Sequence, residues 1–194
     1  MQHLIDSNQI AADAFDSDRR GFLKFGLACT AVLGFWTPQL ARADVQKPRN
    51  LKFVNIHTRE SFNGTYWEAG RYIPAAFSEI KTVLRDYRSG DHFPIDPRLM
   101  DILYVLQHRL NNFKSYEVFS GYRSPKTNAM LRRTSEGVAR NSLHMSGQAM
   151  DLHLPGTRLA RLHNAAMDLK SGGVGFYPRS DFVHMDTGRV RHWS

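Results

Sequence analysis

The sequence predicts an α+β fold. Three observations carry this. Residues 51–58 and 61–67 read as two strands joined by a short turn, and 174–177 and 182–186 as a second such pair. Two helical stripes, within 74–88 and 97–110, follow one another with no strand between them. Strands and helices are therefore mixed, with antiparallel pairs expected.

The chain has 194 residues, of which 42% are hydrophobic and 23% charged, ordinary values for a globular protein. Its only cysteine is Cys29, which excludes a disulfide framework and a cysteine-ligated metal site. The formal charge of +8 suits an anionic polymer or surface without choosing among them.

The first 43 residues read as a targeting segment. Ser17-Asp-Arg19-Arg20-Gly-Phe22-Leu23-Lys24 resembles the twin-arginine export signal. The apolar run after it, 25–36, is shorter than the ~20 residues a spanning helix needs. Ala41-Arg-Ala43 is an A-x-A signature, so cleavage is expected between Ala43 and Asp44. Gly-Leu-Ala before Cys29 is a poor lipobox, and no stable membrane insertion is expected after cleavage. Residues 1–43 hold four basic groups (Arg19, Arg20, Lys24, Arg42) and four acidic ones (Asp6, Asp13, Asp16, Asp18), so 44–194 keeps the charge of +8. The signal implies export of a folded bacterial protein to the periplasm.

In the mature part, Leu51, Phe53, Val54 and Ile56 mark the first strand. Ser61 to Trp67 marks the second, with Asn63-Gly64 as a bend or bulge. Pro74 suits a helix first turn, and Phe77, Ile80, Val83, Leu84 and Tyr87 form one apolar face. Asp96-Pro97 caps and starts the next helix, whose stripe is Leu99, Ile102, Leu103, Leu106 and Leu110. His57, His92 and His108 have no partner motif and read as structural or solvated. Tyr116 to Phe119 is a short strand running into Ser120-Gly-Tyr-Arg123-Ser-Pro125, a loop that presents Arg123. Residues 127–133 read as helical and 135–141 as a polar loop.

In Ala149-Met-Asp151-Leu-His153-Leu154 the even positions are apolar. The reading is a strand with Met150, Leu152 and Leu154 buried and Asp151 and His153 on the opposite face. His144 then comes from the preceding loop. A helix over 158–170 stops at Gly172-Gly173, and strands follow at 174–177 and 182–186. The tail, 189–194, is basic and aromatic.

His144, Asp151 and His184 together offer two imidazoles and a carboxylate to one metal. Such a set suits a single zinc ion and leaves a fourth position for water, the pattern of hydrolytic sites. A hydrolase also needs a base, and two carboxylates compete. Asp186 lies two residues past His184 and shares its strand face. Asp181 lies three before it, on the opposite face unless the chain bends after 178–180. Arg123 could stabilise an oxyanion or bind a carboxylate, and His153 could stand behind the metal ligands.

At these residues the chain resembles the LAS-type zinc peptidases, which include D-Ala-D-Ala carboxypeptidases, lysostaphin-like enzymes and the hedgehog signalling domain. Their S-x-H-x-x-G-x-A-x-D motif stands here as Ser142, His144, Gly147, Ala149 and Asp151. Over almost all of 44–194 the chain is similar to the endopeptidase K group of murein endopeptidases. The similarity runs through Ser120 to Ser124, Gly172 to Ser180, Phe182 to Gly188 and Arg191-His-Trp193. The resemblance implies a small antiparallel sheet carrying the metal site, with helices on its flanks. It also implies zinc at His144, Asp151 and His184, and cleavage of peptide crosslinks between peptidoglycan stem peptides. In the carboxypeptidase branch an acid three residues before the last histidine is the base, a place held here by Asp181; Arg123 matches an arginine at the substrate carbonyl.

Two other readings use the same residues: a metal-stabilised binding module without turnover, and a D-Ala-D-Ala carboxypeptidase. The export signal and the lack of a recognised nucleic-acid motif argue against a nucleic-acid binder.

Overall fold

The computed structural model describes residues 47–135 and 137–194. The export segment, 1–43, and its cleavage point lie outside the described residues.

Eight strands form one sheet. Strand β1, Arg49–Asn55, pairs antiparallel with β2, Ser61–Glu68. A two-residue turn, Ala69-Gly70, with φ of 50° and 81°, joins β2 to β3, Arg71–Tyr72. Positive φ at both positions matches the right-handed twist of a hairpin. Asn63 and Gly64, expected at a bend, lie in register opposite Lys52 and Leu51, and the irregularity falls at Arg49/Asn50.

Helix α1, Pro74–Val83, starts at its proline and ends earlier than the apolar stripe suggests, since Leu84 leaves the helical conformation. Helix α2, Pro97–Leu110, is capped by Asp96, whose carboxylate accepts the Arg98 N–H. Strand β4, Tyr116–Ser120, runs parallel to β1 because these two helices carry the chain back across the sheet. Helix α3, Pro125–Thr134, begins at Ser124, which caps it by accepting from Thr127 N–H. A short 3₁₀ turn, Leu143–Ser146, leads to β5, Ala149–His153. Helix α4, Leu159–Leu169, precedes β6, Gly173–Tyr177; a second 3₁₀ turn, Pro178–Ser180, precedes β7, Phe182–Asp186. The tail forms a further strand, β8, Arg191–Trp193, parallel to β6.

The strand order is β3-β2-β1-β4-β5-β7-β6-β8. The α+β class is as expected. The sheet is wider than a small antiparallel one, and two of its pairings are parallel, because β4 and β8 each join a strand distant in the chain. The strands β4, β5, β7 and β6 are mutually antiparallel.

Helices α1, α2 and α4 contribute Ile80, Leu99, Leu103, Leu106 and Leu162 to one core with Phe53, Tyr66, Tyr116, Val118, Met150, Leu152, Val183 and Met185 of the sheet. Truncating any one of these leucines to alanine costs about 2–5 kcal/mol. The same alternation that points Met150, Leu152, Val183 and Met185 into this core sends Asp151, His153, His184 and Asp186 to the other face.

Candidate active site

Strands β5 and β7 place Asp151 directly opposite His184. His144 reaches the same point from the 3₁₀ turn before β5. That turn ends at Gly147, whose φ of 64° and contact with the Pro94 carbonyl leave no room for a side chain. The Gly147 carbonyl in turn accepts the Asp96 N–H at 2.9 Å, which ties the turn to the start of α2.

One ligand atom from each of His144, Asp151 and His184 lies within 4.8 Å of the others, and all three residues are buried. His144 Nε2 is 3.2 Å from His184 Nδ1 and 3.3 Å from Asp151 Oδ2; His184 Nδ1 is 2.8 Å from Asp151 Oδ1. The outward nitrogens are occupied. His144 Nδ1 donates to the Gly121 carbonyl at 2.7 Å, and His184 Nε2 donates to Asp186 Oδ2 at 3.2 Å. With the protons on these outward nitrogens, both imidazoles can turn a lone pair toward Asp151, the tautomers a metal ion requires. The donor set fits a divalent ion held by two nitrogens and one carboxylate.

The electrostatics agree with a charged centre. Burial alone would raise the Asp151 carboxyl, but His144 and His184 hold it far below the usual carboxylate range. Burial lowers His144. Burial would also lower His184, yet the carboxylates of Asp151 and Asp186 outweigh it and push the imidazole up to about 9.

Asp186 lies fully buried behind His184. Its Oδ1 accepts from Gly173 N–H, Gly188 N–H and Arg191 Nη1; its Oδ2 accepts from Arg191 Nη2 at 2.6 Å and from His184. No lone pair is left for a substrate or a water. Gly173 has no side chain because a Cβ there would strike Arg191 and Asp186. Arg191 comes from β8, and from the same strand Trp193 lays its ring 5.2 Å from that of His184 and donates Nε1–H to Tyr177 Oη. Neither residue had a role in the reading of the motifs. Their signals were the basic and aromatic tail and the place of Arg191-His-Trp193 in the family resemblance.

Asp181 adopts a left-handed φ of 55°. That conformation breaks the strand alternation and brings its carboxylate to the face of Asp151, 3.3 Å from His153 Nδ1. The side chain of Asp181 is 64% exposed, and Glu117 stands 3.8 Å from the same nitrogen. His153 therefore partners these two carboxylates.

Arg123 is buried with Nη2 3.5 Å from Asp151 Oδ2. Burial lowers its pKa, opposed by Asp151. Its backbone N–H donates to the His144 carbonyl, and its buried Nε has no partner in the protein. Arg123, His144, Asp151 and His184 line a cleft of about 710 Å³. Its walls include Phe119, Tyr177, Phe182 and Trp193 on one side of the site and Tyr87, Arg88 and Ser142 elsewhere.

An α+β fold with a buried His/Asp/His set on one sheet face, an arginine beside it and an acid at its edge defines a peptidase of the LAS type. The model of the family described as peptidoglycan L,D-endopeptidase MepK matches residues 43–193, and the chain belongs to that family. It is 42% identical over 181 residues to the peptidoglycan L,D-endopeptidase MepK of Escherichia coli (strain K12), covering 93% of this chain and 100% of that one. It is 38% identical over 179 residues to the probable peptidoglycan L,D-endopeptidase MepK of Haemophilus influenzae, covering 92% of this chain and 96% of that one.

Proposed function

We propose that this chain is a zinc-dependent endopeptidase that hydrolyses peptide crosslinks between peptidoglycan stem peptides in the periplasm. The observation that carries the reading is the inward convergence of His144 Nε2, Asp151 and His184 Nδ1 at the floor of an open cleft. Ligand atoms around tetrahedral zinc stand about 3.3 Å apart, since each lies ~2.0–2.2 Å from the ion. The 3.2 Å between the two imidazole nitrogens suits it, and the Asp151 carboxylate stands 2.8 Å from one of them through Oδ1 and 3.3 Å from the other through Oδ2. The membership of the MepK family supports peptidoglycan as the substrate and the bond class that the relatives' names state. The twin-arginine stretch before residue 44 supports export and removal of 1–43.

When bound, the ion would supply Lewis acidity toward the scissile carbonyl and acidify the attacking water. The chain's own residues do the rest. Arg123, which lines the cleft beside Asp151, stabilises the carbonyl oxygen, where negative charge develops. Asp181 is the base: it takes the proton of the water and delivers it to the leaving amine, steadied by His153. Asp186 is a positioning residue, holding His184 in one tautomer and one orientation. The aromatic wall of Phe119, Phe182 and Trp193 excludes water from one side of the peptide.

The test is a digest of purified crosslinked peptidoglycan by residues 44–194, read by mass spectrometry with zinc, with chelator and with His144→Ala. Dimeric muropeptides falling to monomers only with metal and His144 support the reading, and product masses name the bond. Metal binding with unchanged fragments would sink it in favour of a metal-stabilised binding module.

A further inference from the structure

One wall of the cleft carries a cation that the chemistry above does not use. Arg88 follows the end of α1 and is exposed, with its guanidinium 4.2 Å over the ring centre of Tyr87. The other face of that ring is covered by His57, at 3.8 Å and 18°. His57 is itself anchored, Nε2 donating to the Phe119 carbonyl at 3.1 Å and its backbone N–H to Asn55. Arginine, phenol and imidazole therefore form one fixed stack, and all three line the cleft that holds the metal ligands. Burial lowers the His57 pKa, opposed by its hydrogen bond to the Phe119 carbonyl, and the nearby Arg88 charge lowers it further.

The stack is also held in register with the reaction centre. The buried Asp86 carboxylate accepts the Arg88 N–H on Oδ1 at 3.0 Å and the Ser124 N–H on Oδ2 at 2.9 Å. One side chain thus couples the loop of Arg88 to the loop of Arg123. Among the described residues no carboxylate pairs with the Arg88 guanidinium, whereas Asp151 and Asp186, the acids that line the cleft, are both engaged at the site. An exposed guanidinium stacked on a ring in the wall of a cleft suits a planar anion.

We propose that Arg88, braced by Tyr87 and His57, is a carboxylate-binding subsite that holds a free carboxylate of the peptide away from the scissile bond. This rests on the peptidase reading above and adds the anchor that sets the register of the substrate in the cleft. A peptide strand carrying free carboxylates meets Arg88 at the rim and Arg123 at the metal, the two spaced by Asp86.

The experiment compares wild type and Arg88→Gln, both metal-loaded, on a crosslinked muropeptide with free carboxylates and on the same molecule with those groups converted to carboxamides. Loss of a charge-assisted contact of this kind lowers kcat/KM about 10–100-fold. Arg88→Gln should cause that loss on the carboxylate substrate, carboxamide conversion should cause a similar loss in wild type, and the two together should add nothing further. Metal content and melting temperature stay at wild-type values, because Arg88 is exposed and contacts no ligand. Losses that add, or an Arg88→Gln enzyme equal to wild type on the carboxylate substrate, overturn the subsite. A binding titration with an uncrosslinked stem peptide and its carboxamide, which offer no crosslink to cut, separates the two claims. If wild type cleaves nothing, the peptidase reading fails. Tighter binding of the carboxylate form, lost in Arg88→Gln, would still support the subsite, and equal binding of both forms by wild type would overturn it.

Discussion

His184 and Asp186 lie on one face of β7, and the Asp186 carboxylate receives the Nε2–H of His184 while Arg191 grips its other side. The carboxylate thus links the tail strand to the His184 imidazole. Asp186→Asn should weaken metal binding about 10–100-fold. Arg191→Lys should weaken it less, since a lysine cannot make the paired contact. Competition with a chromophoric chelator measures both, and unaltered affinity in Asp186→Asn would contradict the positioning role.

Asp181 gives the opposite signature. Its carboxylate pairs with His153 and not with His144, Asp151 or His184. Asp181→Asn should therefore keep its metal and lower kcat/KM on a crosslinked muropeptide about 10²–10⁴-fold, the usual contribution of a general base. Retention of full activity would remove it from the chemistry.

Asp86 predicts a pH dependence. Burial by itself would raise its carboxyl, but hydrogen bonds from Thr127, Ser124 and Arg88 outweigh this and hold it at about 2. A depressed carboxyl stabilises the fold above its unfolded value and loses that contribution as pH falls through its folded value. Asp86→Asn should cost about 1–3 kcal/mol at neutral pH. The gap from wild type should close between about pH 4, the unfolded value, and pH 2. Urea denaturation across that range tests it; a gap constant with pH would show that the charge is not involved.

Gly147 is the fourth case. An alanine there meets the Pro94 carbonyl in a left-handed conformation. Gly147→Ala should destabilise the fold by about 1–3 kcal/mol and displace His144, with a parallel fall in metal affinity. Thermal melts with and without zinc separate the two effects, and a variant melting like wild type in both conditions would contradict the account.

Much of this was legible in the residues. Alternating apolar positions in 149–154 put Asp151 on the face opposite Met150 and Leu152, and β5 does so. The convergence of His144 and His184 on it could be read from a motif. Other features depend on distant partners. Tyr87 continues the apolar stripe of α1, yet the helix stops at Val83 and the ring stacks on His57 instead. The three residues of β8 carry no periodic signal; they become a strand because Gly175 leaves room for Trp193 and Asp186 supplies a counterion for Arg191. The parallel pairing of β1 with β4 is likewise set by a crossover of two helices, which local pattern does not encode.

Strands β5 and β7 lie inside the eight-stranded sheet, flanked by β4 and β6 and backed by the helical core. The reactive floor is therefore held by ladders on both sides, while the parts of the rim around Arg88, Ser142 and Ser180 are segments that no ladder constrains. Chemistry and selectivity are thereby uncoupled. Substitutions in the loops bearing Arg88, Ser142 or Ser180 can re-aim the cleft at other peptide shapes without detuning the centre, so enzymes of this kind can diversify, or be redesigned, by exchanging rims over an unchanged floor.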